Sequence, residues 1–396
     1  MNQLNSDASS HSGLLPQQIA QIETPAPLVE VSRVKRNLDR MADYARLHKL
    51  QLRPHVKTHK TTVIGAAQMR RGAVGLTCAT PREMEIMSSV ASDLLLAHPP
   101  LGLKIDRLLM LPRSVSVVTA LDSAEAIDWV AEAAAGANRT VRVYVELDVG
   151  MHRVGVATAK QAVELAERVA AESSLEYAGI CFYPGHIRET VDEQSAKISA
   201  LNDVLGGVVS ALEQAGLKPP TVSGGSTPTA WHTHEMPLVT EFRPGTYVFN
   251  DRTTAAVGAC EWDDCAFTVL ATVVSTAVPG QAVVDAGSKA LGREPMRGVN
   301  GEGFGALMGH EDVLVSAMSE EHGMLDLSRT DWRPRVGDTV RIVPNHVCIV
   351  VHLNDVLYAV DGDRVTGVWP VAARGRMAPF TDDEASTVAP SSENLL

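Results

Sequence analysis

The segment PLVEVSRVKRNLDRMADYARLHKLQLRPHVKTHK (27–60) sets the architecture of this chain. Its first six residues, PLVEVS, have strand character. From Ser32 to Lys49, Val34, Leu38, Met41 and Ala45 recur at helical spacing, so one face of that stretch is apolar. LQLRPHV (50–56) then returns to a strand. Strand, helix and strand in succession belong to an α/β protein with parallel pairing. No glycine follows the first strand, whereas a dinucleotide-binding fold needs a glycine-rich turn there.

Outward from this segment the alternation continues. Further strand candidates are VGLTCA (74–79), DLLLAH (93–98), VSVVTALD (115–122), VRVYVELDVG (141–150), LEYAGICFYPG (175–185) and PTVSGG (220–225). Helix starts lie between them. In TPRE (80–83), Thr80 is an N-cap, Pro81 takes the first helical position and Glu83 completes a capping box. Thr158 with Gln161, and Thr190 with Glu193, repeat the signal. Ala124–Ala135 and Ala159–Glu172 are rich in good helix formers. With PLVEVS counted first, this gives eight strands, which predicts a (β/α)8 TIM-type barrel over 24–265. An open doubly wound sheet is the competitor. After residue 265 the runs become β-branched and are broken by Gly, Pro and Asp, as in TVRIVPNHVCIVVHL and DVLYAVDGDRVTGVW. A second, mainly β domain is expected over 266–380, with a hairpin turn at ValAspGlyAsp (360–363). The polar ends, 1–23 and 381–396, are expected to be extended or disordered.

Bulk properties exclude some functions. A net charge of −12 argues against a nucleic-acid binder, which needs a basic face for phosphates. No stretch reaches the roughly 18–20 uninterrupted apolar residues of a membrane span, and the N-terminus does not read as a signal peptide. Five scattered cysteines without a C-x-x-C suit a reducing cytoplasm.

In a barrel of this kind, chemistry sits at the C-terminal ends of strands. RPHVKTHK (53–60) places two His and two Lys within six residues. That pattern suits either a solvated basic turn or a lysine whose amine is freed for Schiff-base chemistry by neighbouring cations. Arg153, between Gly150 and Gly155, either serves a turn or presents a fixed cation. Gly224 and Gly225 followed by Ser226 and Thr227 offer N–H groups and hydroxyls to a phosphate. His346 and Cys348, two apart, would share one face of a strand, and imidazole with thiolate is a good zinc pair. Two nearby ligands leave positions open, which suits a catalytic metal.

These segments, with EFRPGTYVFND (241–251) and SEEHG (319–323), occur in an order that resembles the fold-type III pyridoxal-phosphate enzymes. Within that superfamily the chain resembles the D-serine dehydratase and D-threonine aldolase group, from about residue 24 to about 375. The resemblance implies that Lys57 carries the cofactor as a Schiff base. It also implies that His55, Arg153 and Tyr183 lie by the cofactor. Gly224, Gly225, Ser226, Thr227, Gly245 and Tyr247 would hold its phosphate, and His346 and Cys348 a divalent metal. Tyr183 and His186 are candidates for proton transfer opposite Lys57. A homodimer acting on a small 3-hydroxy-D-amino acid is implied.

His-x-Cys resembles the dehydratases, which release a 2-oxo acid and ammonia. The alternative is retro-aldol cleavage to glycine and an aldehyde. Zinc suits the thiolate, and manganese or magnesium would suit an aldolase. A racemase would need a tyrosine base such as Tyr358 and would leave the metal pair without a role. A non-catalytic pyridoxal-phosphate protein would lack the β domain. Arg188 and His98 are candidate selectors of a distal substrate carboxylate.

Overall fold

The computed structural model describes residues 16–296 and 302–375. The chain enters through strand β1 (Ala26–Glu30) and helix α1 (Val31–Leu47), with no loop between them. A parallel ring follows. Its strands are β2 (Gln51–Leu52), β3 (Leu76–Cys78), β4 (Asp93–Leu96), β5 (Ser116–Leu121), β6 (Val141–Leu147), β7 (Leu175–Phe182), β8 (Thr221–Gly224) and β9 (Glu241–Phe242). Helices α2 (Thr62–Arg70), α3 (Pro81–Met87), α4 (Leu103–Leu109), α5 (Ala124–Gly136), α6 (Ala159–Ala171) and α7 (Ser195–Gln214) lie between them. The strand order is β2-β9-β8-β7-β6-β5-β4-β3, and a parallel bridge from His55 to Thr77 joins the two ends. This is the eight-stranded TIM-type barrel expected.

Two of the expected strands have other places. PLVEVS is not the first barrel strand. β1 is buried and paired on both edges in the second sheet, antiparallel to β10 (Phe267–Ser275) and parallel to β16 (Val356–Asp361). PTVSGG is therefore the seventh barrel strand, and the eighth is β9, whose two-residue ladder leaves no periodicity to read. Residues 16–23 are also more ordered than expected. Gln18 pairs with Arg364, and Ile22 packs under β1. Residues 1–15 and 376–396 lie outside the described residues.

The helix starts follow the sequence closely. Thr80 Oγ1 accepts from Glu83 N at 3.2 Å, and Thr158 Oγ1 from Gln161 N at 3.2 Å. At Thr190 the chain makes only a single 3-10 turn, and α7 begins at Ser195. In α1 the predicted stripe of Val34, Leu38, Met41 and Ala45 is buried. Each large apolar side chain so removed from water contributes about 1.5–3 kcal/mol.

After the barrel come α8 (Arg252–Ala256), β10, β11 (Gln281–Val284), α9 (Ser288–Leu291), β12 (Gly305–Leu307), β13 (His310–Met318), β14 (Gly323–Asp326), β15 (Thr339–Pro344), α10 (Val347–Leu353), β16 and β17 (Arg364–Pro370). With β1 these strands form one nine-stranded, mostly antiparallel sheet. The hairpin at 360–363 is as expected, with Asp361 opposite Arg364.

Strand alternation fills the barrel interior with one charged network. Arg53 Nε donates to Glu241 Oε2 at 2.7 Å and Arg53 Nη1 to Asp93 Oδ1 at 2.7 Å. Ser223 Oγ donates to Glu241 Oε1 at 2.6 Å, and Arg142 Nη1 to Asp93 Oδ2 at 2.8 Å. Removing Arg53 leaves the buried Glu241 carboxylate without its cation, with only the Ser223 hydroxyl to offset its charge. Arg53→Met is expected to cost about 3–5 kcal/mol in chemical denaturation. A loss no larger than that of an exposed arginine would show that water reaches Glu241.

Candidate active site

Lys57 sits in a 3-10 turn, Val56–Thr58, where the chain leaves β2. The turn is tied down on two sides. His55 N donates to Pro244 O at 3.0 Å, and Lys57 N to His55 Nδ1 at 3.4 Å. Gly245 makes the fit possible, since a Cβ there would lie 3.0 Å from His55 O and 3.1 Å from Thr58 Oγ1. Burial holds the His55 imidazole well below its usual pKa, and Lys57, Arg243, Lys60 and His59 add to the effect. The cations of RPHVKTHK divide. Lys60 is buried against Glu83, and His59 is buried beside the Thr61 carbonyl, so Lys57 alone of the two lysines faces the mouth.

Tyr183, at the end of β7, gathers the mouth residues. Lys57 Nζ lies 5.7 Å from its ring centre and Arg153 Cζ lies 5.0 Å from it. His186 is not among them. It packs on the Gly150 backbone, and burial, helped by Lys197, lowers its pKa. Among the described residues no hydrogen bond or ring contact joins it to Lys57. His98 and Arg188 bond to nearby carbonyls, of Pro99 and Gly185.

The loop after β8 is built as a cradle. Gly225 has φ +90, a left-handed turn open to glycine at no steric cost. Ser226 and Thr227 are buried, and Thr227 Oγ1 accepts from Tyr247 N at 3.1 Å, which joins the loop to residues 245–247. The Tyr247 phenol points away and accepts from Gln68 Nε2 at 3.1 Å, so only its backbone is at the loop. Among the described residues, the N–H groups of Gly225 and Thr227 have no protein acceptor. Glu146, at the end of β6, is buried with Oε2 unpartnered. Burial raises its pKa against the pull of Arg243 and Arg153. Unengaged N–H donors in the loop fit the anionic group of a bound cofactor.

His346 and Cys348 are not on a strand. β15 ends at Pro344, His346 is the N-cap residue of α10, and Cys348 stands in its first turn. Helical geometry still brings the two together, close enough for the imidazole and thiol to shift each other's pKa. Burial would raise the Cys348 thiol, but His346, Lys57 and Thr58 outweigh it and bring it down to about 7. Cys348 raises the imidazole in turn. The thiol is thus readied as a thiolate, and the imidazole beside it, once free of its second proton, completes a donor pair for a soft metal. Among the described residues no cluster of three His, Cys, Asp or Glu forms a closed metal site.

Thr58 Oγ1 lies 3.2 Å from Cys348 Sγ, so the His346–Cys348 pair faces the Lys57 turn of its own chain. Asp251 was not anticipated. It is fully buried, and its Oδ2 bonds His346 Nδ1 at 3.1 Å. The DRTT start of α8, a capping pattern, was the available signal.

A parallel barrel with a lysine, a phosphate-type cradle and a tyrosine at its mouth, joined to a β domain, defines a fold-type III pyridoxal-phosphate enzyme. The chain matches the family profile described as alanine racemase, N-terminal domain, over residues 29–253. It also matches the one described as putative serine dehydratase domain, over 266–360. It belongs to this family, in the branch that joins the two domains. It is 31% identical to a 3-hydroxy-D-aspartate aldolase of Paracoccus denitrificans, over 90% of this chain and 93% of that one. It is 32% identical to a D-threo-3-hydroxyaspartate dehydratase of Delftia sp., over 83% and 91%. The solved D-threonine aldolase of Filomicrobium marinum superposes with a TM-score of 0.84 at 31% identity, over 91% and 98%. A D-threo-3-hydroxyaspartate dehydratase with a cysteine-to-alanine mutation, in a metal-free form, gives 0.81 at 28%, over 92% and 100%.

Borohydride reduction of the cofactor-loaded enzyme, followed by peptide mapping, is expected to label Lys57. Lys57→Ala should abolish the visible absorbance band. A label on Lys60 or Lys289 would reassign the cofactor lysine.

Proposed function

We propose that this enzyme is a pyridoxal-phosphate- and zinc-dependent lyase that dehydrates a 3-hydroxy-D-amino acid to a 2-oxo acid and ammonia. The observation that carries the reading is the His346–Cys348 pair, set against the Lys57 turn through Thr58. When bound, the cofactor provides an electron sink for charge that develops at the substrate Cα. When bound, the metal provides Lewis acidity toward the substrate hydroxyl. Lys57 would carry the cofactor, and its amine would serve as the proton-accepting group on the barrel side. The Gly225–Thr227 loop and the backbone at 245–247 hold the phosphate. Tyr183 and Arg153 flank the ring, and neutral His55 keeps the turn in place.

His346 and Cys348 hold the metal, and their charge and softness favour zinc. A leaving hydroxyl then departs toward the β domain while the Cα proton moves toward the barrel. Manganese-dependent retro-aldol cleavage is the second reading, supported by the 31% identity to an aldolase.

Exposed Leu101, Leu103 and Met110, in the loop and helix that follow β4, support a homodimer. The five free thiols support a reducing, cytoplasmic setting. Among the described residues no helix is long and apolar enough to cross a membrane.

Chelation is expected to abolish turnover and leave the cofactor spectrum nearly unchanged, with zinc restoring activity. Cys348→Ala should behave like the chelated enzyme. Cys348→Asp should cut dehydration and expose aldol cleavage with manganese. Keto acid and aldehyde would be measured together on D-serine, D-threonine, 3-hydroxy-D-aspartate and 3-phenyl-D-serine. Full deamination by metal-free protein would remove the metal from the reaction.

A further inference from the structure

Asp251 makes more contacts than a helix cap requires. Its Oδ1 accepts from Thr254 N at 2.9 Å and lies 3.0 Å from Thr254 Oγ1, which caps the five-residue α8. Its Oδ2 is spent elsewhere. It accepts from Val347 N at 3.1 Å and lies 3.1 Å from His346 Nδ1, 95 residues away in sequence. Serine, threonine or asparagine caps a helix about as well as aspartate, and a cap needs one oxygen. The second oxygen, fully buried and aimed at the β domain, is what capping leaves unexplained.

We propose that Asp251 is the positioning residue for His346: it fixes the imidazole with its proton on Nδ1 and so presents Nε2 to the metal. The proposal rests on the metal reading above. Oδ2 already accepts a backbone N–H, so the imidazole nitrogen beside it is the donor. A neutral ring that donates its Nδ1–H to a carboxylate in a hydrogen bond keeps its in-plane lone pair on Nε2. A carboxylate behind a ligating histidine in this way fixes the ring's tautomer and orientation and makes it a better donor.

The same oxygen also satisfies the first N–H of α10. His346 stands at the N-cap but makes no capping bond with its own side chain. Asp251 performs that capping from another element, and so it also places Cys348 in the first turn. One carboxylate, at the end of the segment that joins the phosphate loop, therefore aligns both protein ligands.

The experiment uses the cofactor-loaded enzyme, freed of metal and titrated with zinc against a chromogenic chelator. The unaltered enzyme should bind one zinc per chain. Asp251→Ala should bind it about 10- to 100-fold more weakly, with the visible cofactor band unchanged. Asp251→Ser keeps one oxygen to cap α8 and loses the one beside His346, so its zinc affinity should fall as far as that of Asp251→Ala. If Asp251→Ser binds zinc as tightly as the unaltered enzyme, the carboxylate is only a cap and the proposal fails. Equal zinc affinity in Asp251→Ala and the unaltered enzyme also overturns it, and leaves the metal reading standing. No zinc in the unaltered enzyme overturns the metal reading and this proposal together.

Should Asp251→Ala not fold, nitrogen-15 NMR of histidine-labelled, zinc-loaded enzyme decides the matter. His346 is assigned by its loss in His346→Gln. A proton on Nδ1 is expected, and a proton on Nε2 overturns the assignment.

Discussion

The active site depends on the pairing of one short strand. β1 is buried, hydrogen-bonded to β10 on one edge and to β16 on the other, and runs into α1 without a linker. α1 in turn lies along the barrel, its stripe packed in the same core as Leu52, Phe242 and the β-domain residues Val269 and Ile342. The sheet therefore cannot tilt without dragging the barrel's first helix. A rigid seat of this kind is needed because the site is split. The lysine and the phosphate cradle belong to the barrel, whereas the thiol and imidazole belong to the sheet domain. A 3.2 Å contact between Thr58 and Cys348 would not survive a shift of an ångström or two.

The second constraint is charge. The barrel interior holds arginine–carboxylate pairs that are expensive to desolvate, and each is satisfied by two or more partners. At the mouth the balance changes. Arg243 is held by Ser223 and the Phe182 carbonyl, Arg153 lies over Tyr183, and Glu146 keeps an oxygen without a partner. The interior is closed electrostatically and the mouth is left open, as a binding site requires.

Much of this was legible in the chain. The barrel, the β domain, the helix caps, Lys57, Arg153 and the Gly224–Thr227 loop follow from periodicity, turn chemistry and strand ends, whereas Tyr183, Gly245 and Tyr247 come from the family resemblance and Glu146 and Arg243 from neither. What escaped has physical reasons. β1 reads like any buried strand, and nothing local says which sheet it joins. β9 pairs through two residues, too few for a pattern. VCIVVHL is β-branched and looks like a strand, yet it forms α10 because its apolar side chains pack with α9 and the sheet core. Here tertiary burial overrides propensity. Asp251 escaped because its second oxygen acts across 95 residues, a relation that spacing cannot encode. His186, a candidate for proton transfer, packs against Gly150 just after β6, with its Nδ1 buried and unpartnered.

The pairing of β1 also fixes the order in which the protein can be completed. Its edges wait for β10 and for β16, the latter some 330 residues further along the chain. On a ribosome that adds about 5–20 residues per second, the strand stays unpaired for tens of seconds after it emerges. The barrel strands meanwhile find sequential neighbours as they appear. The earliest-made strand is thus among the last to be sealed, and an apolar edge is exposed through most of synthesis. The nascent chain is most vulnerable to intermolecular association at its N-terminal end, well before any residue of the metal pair exists.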